Sequence, residues 1–165
     1  MLLLGIVVWI NLVYSLRVTV EGLFTYGLLR VADDGLLDRA SAVFSGAEIK
    51  LEDSEWRYMR RLVLSSLFEM LALLLEMVLM GYLLWRGTQR PLALAVLLKD
   101  VIYIGVMLRM AWRQSATGVV NLLDIKEMPP RSLLLERAGY LFSAAAMCWL
   151  LYSVVLQASG RTSCW

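Results

Sequence analysis

Charged residues stand inside two of the most apolar stretches of this chain. Lys99 and Asp100 are adjacent in "LLKDVIYIGVMLRM", Arg109 follows in the same stretch, and Glu69 and Glu76 lie in the apolar stretch before it. Ionisable groups in such surroundings carry protons or cations, or they pair with one another and fix helix packing. A lone ion at the centre of a bilayer costs about 2.5–3.5 kcal/mol even on the most lenient scale. Either role therefore requires partners nearby.

Other kinds of chemistry have little support in the sequence. The chain has no histidine, and its two cysteines, Cys148 and Cys164, form no CxxC pair. Histidine is the commonest metal ligand and general base, so we expect no metal, no cofactor and no catalytic site. The net charge of +2 comes from interspersed charges without a long basic run, which argues against nucleic acid as a partner. The chain is not expected to be an enzyme.

The apolar residues are gathered into four long segments. They make up 60% of the chain, against about 45–50% in soluble domains. About 20 apolar residues cross the ~30 Å of hydrocarbon in a bilayer. The pattern predicts an all-α integral membrane protein, a four-transmembrane-helix bundle in a single domain, 1–165. The helices are expected at about 2–29, 62–85, 92–112 and 132–157, with the first retained rather than cleaved as a signal peptide.

A polar connection, 30–61, separates the first two predicted helices. Part of it is amphipathic, and this short segment is expected to lie on the bilayer surface or on the bundle, with docking of a partner as the alternative. Gly46 is expected to end the segment. Its predicted apolar face consists of Leu36, Leu37, Ala40, Val43 and Phe44.

Lysine and arginine are unevenly distributed among the connections. The connections after the first and third helices hold Arg30, Arg39, Lys50, Arg57, Arg60, Arg61, Arg113, Lys126 and Arg131, whereas the opposite side has Arg86, Arg90 and Arg161. The positive-inside rule places the basic connections in the cytoplasm, matrix or stroma. Both termini are therefore expected on the non-cytoplasmic side of a bacterial inner membrane or an organelle membrane.

A short turn, "RGTQR", joins the second and third predicted helices. In such an antiparallel hairpin, residues equally distant from the turn lie at the same depth. This register predicts two ion pairs, Glu76 with Lys99 and Glu69 with Arg109. Asp100 points about 100° away from Lys99 around the helix, which leaves it free to meet another helix.

The first predicted helix offers a base for Asp100. Arg17 lies within it, with Glu21 as a neighbour one turn later. The predicted intramembrane polar network therefore consists of Arg17, Glu21, Glu69, Glu76, Lys99, Asp100 and Arg109. The fourth helix carries a face of small residues, a typical seam for close helix packing, formed by Gly139, Ser143 and Ala146.

These features favour a non-catalytic accessory or scaffold subunit of a larger membrane complex, in which buried ion pairs fix helix packing and partner contacts. The expected partners are the lipid bilayer and other membrane subunits, with a homo-oligomer as a further possibility. The alternative is a small ion- or proton-coupled transporter or channel subunit that uses the acids of the second and third helices. An enzyme of lipid metabolism is a third hypothesis.

Overall fold

The regular secondary structure in the part of the chain that the structure describes is all α-helix. This computed structural model describes residues 2–116, 122–126 and 130–158, so Arg161 and Cys164 lie outside the described residues. The helices are α1 (Leu2–Glu21), α2 (Phe24–Val31), α3 (Asp34–Phe44), α4 (Asp53–Arg86), α5 (Arg90–Ala116), α6 (Leu122–Lys126) and α7 (Pro130–Ala158).

Four helical stretches are long and apolar enough to cross a membrane, as the sequence predicts. They comprise Leu3–Val31, Asp53–Arg86, Arg90–Arg109 and Leu133–Ser153. The first stretch is not one continuous helix, and the prediction of an unbroken helix to residue 29 is wrong. Gly22 has φ +83°, a backbone conformation that ends a helix and favours glycine. Gly22 and Leu23 therefore separate α1 from α2.

Helix α4 begins nine residues earlier than predicted. A capping box explains its start, because Glu52 and Glu55 accept hydrogen bonds from each other's backbone. Its 34 residues extend about 51 Å, well beyond the ~30 Å of hydrocarbon in a bilayer. Gly87 ends it in the left-handed conformation, and α5 begins at Arg90 with Pro91 in its first turn.

The four long helices enclose a core near the α4–α5 turn. Helix α1 packs mainly on α7, and α5 packs mainly on α4. Val8 of α1, Met80 of α4, Val96 of α5 and Met147 of α7 are all buried there. Each helix thus supplies one or more apolar side chains to a common centre, as a bundle requires.

A second core lies at the opposite end of the bundle. Here α2, α3, α6 and the first turns of α4 form what we call the connection subdomain, whose core is Leu29, Ala32, Leu37, Ala40, Met59, Leu62 and Leu122. The predicted amphipathic face is largely buried in it, although Phe44 is 41% exposed. Gly46, at φ +88°, follows the end of α3 as predicted.

The two long connections meet in this subdomain. The Leu122 backbone N–H donates to Ser41 Oγ at 3.0 Å, and Lys126 Nζ lies 2.6 Å from Asp34 Oδ1. Helix α6, which the sequence analysis missed, is therefore fixed by contacts with α3. Both basic connections lie at the same end of the bundle.

Candidate functional site

A charged cluster lies between α4, α5 and α7, and it consists of Glu76, Lys99, Asp100 and Ser143. Lys99 Nζ lies 3.3 Å from Glu76 Oε2, so the structure contains the first pair given by the hairpin register. The same Nζ lies 2.8 Å from Asp100 Oδ1. Glu76 is 3% exposed and Asp100 is fully buried. One ammonium group therefore serves two buried carboxylates.

Helix α7 completes the surroundings of the Lys99 side chain. Lys99 Nζ donates a hydrogen bond to Ser143 Oγ, and it lies 5.6 Å from the centre of the Tyr140 ring. A Cβ added at Gly139 would lie 3.7 Å from Lys99 Cδ. The small residues of α7 thus border the lysine as well as neighbouring helices, and Ala146 lies buried in the core near the turn.

The charges in this cluster do not balance. With all three groups ionised, two carboxylates face one ammonium, which leaves one negative charge in excess. Neither oxygen of Asp100 has a hydrogen bond to any described residue, and the ion pair with Lys99 is its charged contact. Burying a charge with incomplete pairing is costly. The cluster therefore depends on Lys99 more than on either acid.

The predicted meeting of Asp100 with Arg17 is wrong. Arg17 Nε donates to Glu21 at 2.7 Å, and its guanidinium lies 3.4 Å from the centre of the Phe24 ring. Both charged side chains point outward, with exposed fractions of 45% for Arg17 and 60% for Glu21. The pair within α1, one turn apart, and the adjacent aromatic ring hold Arg17 away from the charged cluster.

The predicted pair of Glu69 with Arg109 is also wrong. Glu69 instead accepts from Thr25, at 2.9 Å from its backbone N–H and 2.8 Å from its hydroxyl. Leu23 precedes α2 and provides no side-chain cap, so the first N–H groups of that helix need another acceptor. The carboxylate of α4 fills this need. Arg109 is exposed, and no acidic partner for it exists in the described part of the chain.

Thr25 and Ser143 were not predicted as partners of the intramembrane charges. The helix-breaking Gly22 was the available signal for Thr25, because a break inside an apolar stretch creates unsatisfied backbone groups. The sequence predicts only a helix-packing role for Ser143. Its hydroxyl is also the nearest polar group that α7 offers to Lys99.

This arrangement links α4, α5 and α7 through the Lys99 side chain, and it places two carboxylates beside one ammonium group. Among the described residues no group of three or more histidine, cysteine, aspartate or glutamate side chains could bind a metal ion. The chain matches no protein-family model, and no similarity to a curated protein or to a solved structure was found. Within the described residues the fold is all-α, with four helical stretches apolar enough to span a membrane.

Proposed function

We propose that this chain is an integral membrane protein that acts as a non-catalytic scaffold subunit of a larger membrane complex. Its apolar surface supports the membrane assignment. In the most apolar window of each candidate span, between 17% and 33% of the residues are buried inside the bundle. The remainder would expose large apolar patches to water, whereas soluble proteins keep such patches small.

The Arg17–Glu21 ion pair carries the proposal of a partner subunit. It lies on the outer surface of the bundle rather than in its interior. Arg17 covers the Phe24 ring, which contacts Phe68 of α4 with ring centres 5.9 Å apart. Phe68 is six residues beyond Leu62, the start of the apolar run, or about 9 Å along the helix. An ion pair at this depth is stabilised by a polar partner on another chain.

Purification tests the proposal directly. In mild detergent we expect the chain to elute at several times its own 18.7 kDa, together with other membrane proteins. Replacing Arg17 and Glu21 together by leucine should release these partners while leaving the bundle folded. The control is the double replacement of Arg39 and Glu55 by glutamine, because that ion pair lies in the connection subdomain and glutamine keeps an acceptor oxygen for the capping box of α4. A homogeneous monomer with intact wild-type sequence would contradict the scaffold proposal.

The fully buried Asp100 favours one alternative, a small proton- or cation-coupled transporter. Its carboxyl group shares Lys99 with Glu76 and lacks a hydrogen bond within the described chain, so it has the capacity to take up a positive charge. A purified homo-oligomer that moves ions in liposomes, and loses this activity on Asp100→Asn, would favour the transporter. Inactive liposomes with a hetero-oligomer in detergent favour the scaffold.

We further propose that the connection subdomain faces the cytoplasm, matrix or stroma, as the basic residues indicate. The contact between α3 and α6 supports one shared side for both long connections. In a background with Cys148 and Cys164 replaced by serine, a cysteine substituted for Ser45 should resist an impermeant thiol reagent in intact cells. A cysteine substituted for Thr88 should react. The reverse labelling pattern would contradict this orientation.

A further inference from the structure

A groove runs between the end of α3 and the first turns of α4, outside the charged cluster. It has a volume of about 870 Å³ and is lined by Val43, Phe44, Asp53, Trp56, Arg57, Met59, Arg60, Val63 and Leu64. Volumes of about 300–1,000 Å³ are typical of ligand pockets. Buried Met59 forms part of its lining, whereas Phe44, Trp56 and Leu64 are exposed. The groove thus offers an apolar surface that the described chain leaves uncovered.

Two arginines give the groove its charge. Arg57 and Arg60 are three residues apart on α4, which places them on the same side of the helix with Cβ atoms about 5–6 Å apart. Both are exposed, and neither forms an ion pair with a described acid. Glu55, two residues before Arg57, instead accepts a hydrogen bond of 2.8 Å from Arg39.

The groove also lies at the boundary between polar and apolar sequence. Arg60 lies two residues before the apolar run that starts at Leu62, and Val63 and Leu64 continue the groove into that run. Trp56 is 57% exposed at the polar end, a position typical of side chains at the headgroup level of a bilayer. Polar and apolar ends are therefore arranged as they are in a phospholipid.

We propose that this groove binds an anionic phospholipid, with its phosphate between Arg57 and Arg60 and an acyl chain along Phe44, Val63 and Leu64. Arginine pairs recognise phosphate oxygens by charge-assisted hydrogen bonds. The carboxylate of Asp53 lies at the polar end of the groove, so the phosphate binds on the Arg60 side of Arg57. This inference rests on the membrane assignment made above and is independent of the scaffold role.

Lipid titration followed by native mass spectrometry tests the site. The full chain in mild detergent is titrated with phosphatidylglycerol, with phosphatidylcholine and with glycerol phosphate, which has the charge but no acyl chains. Each basic residue near a membrane surface increases the affinity for anionic lipid about fivefold. We expect Arg57→Gln and Arg60→Gln each to weaken phosphatidylglycerol binding about fivefold, and phosphatidylcholine and glycerol phosphate to bind more weakly than phosphatidylglycerol.

Arg61→Gln is the matched control, because Arg61 lies next to Arg60 and does not line the groove. An unchanged affinity in this variant supports a localised site. Equal losses in Arg60→Gln and Arg61→Gln, or equal affinity for the two phospholipids, would overturn the proposal. Tight binding of glycerol phosphate would show a free-phosphate site instead. A chain that inserts stably into nanodiscs yet fails these tests retains its membrane assignment and loses only the lipid site.

Discussion

Replacing Lys99 by methionine should destabilise the protein more than replacing any other residue of the charged cluster. The substitution leaves Glu76 and Asp100 buried beside each other without their shared ammonium group. Removal of one partner from a buried ion pair costs about 3–5 kcal/mol in soluble proteins. The melting temperature in detergent measures the loss. Glu76→Gln should lower it less, because Lys99 retains the contact with Asp100.

The three charges form a unit, so their substitutions should not be additive. The double change Glu76→Gln with Lys99→Met should recover only part of the loss, since one buried carboxylate remains. Adding Asp100→Asn should recover a further part of it, because no uncompensated charge then remains in the cluster. Lys50→Met, in an exposed loop, is the control and should have no effect. Additive losses would show that these side chains do not interact.

Replacing Glu69 by leucine should cause the second large loss of stability. The carboxylate accepts both the backbone N–H and the hydroxyl of Thr25, and leucine leaves both donors without an acceptor. An orphaned buried donor costs about 1–3 kcal/mol. Glu69→Gln should lose less, because its amide retains one acceptor oxygen. Melting temperatures of the two variants in detergent would check the order.

The substitution Arg109→Leu tests whether Glu69 pairs with Arg109 or with Thr25. If Glu69 paired with Arg109, as the sequence register predicts, the substitution would destabilise the protein about as much as Glu69→Leu. The structure places Thr25 at Glu69 and leaves Arg109 exposed, so Arg109→Leu should leave the melting temperature unchanged. A comparable loss in both variants would refute the capping of α2 by α4.

The sequence predicts the charged cluster well where local geometry determines it. A short turn fixes the relative depth of α4 and α5, and the helical period then brings Glu76 to Lys99. The same reasoning predicts that Asp100 meets Arg17 of another helix, and this is wrong. The Asp100 side chain leaves the helix about 100° away from that of Lys99, but the long, flexible lysine side chain still reaches its carboxylate. Contact between adjacent residues depends on rotamers, which the pattern of residue types does not specify.

The failures of prediction have a common physical origin in tertiary contacts. The break at Gly22 interrupts the helix within an apolar stretch, and only the folded arrangement shows that Glu69 caps the helix that follows. Helix α6 is too short to have a periodic signal, and its position depends on the hydroxyl of Ser41. The sequence predicts the amphipathic segment that forms α3. It does not predict the core of the connection subdomain, because that core also contains residues of α2, α4 and α6.

The length of α4 connects the two ends of the molecule. One uninterrupted helix carries Arg60 in the connection subdomain and Glu76 in the charged cluster, 16 residues or about 24 Å apart. No break interrupts α4 over this distance, so its backbone hydrogen bonds run unbroken from the polar end to the charged cluster. The connection subdomain and the Glu76–Lys99 pair therefore share one continuous helix, with no loop between them.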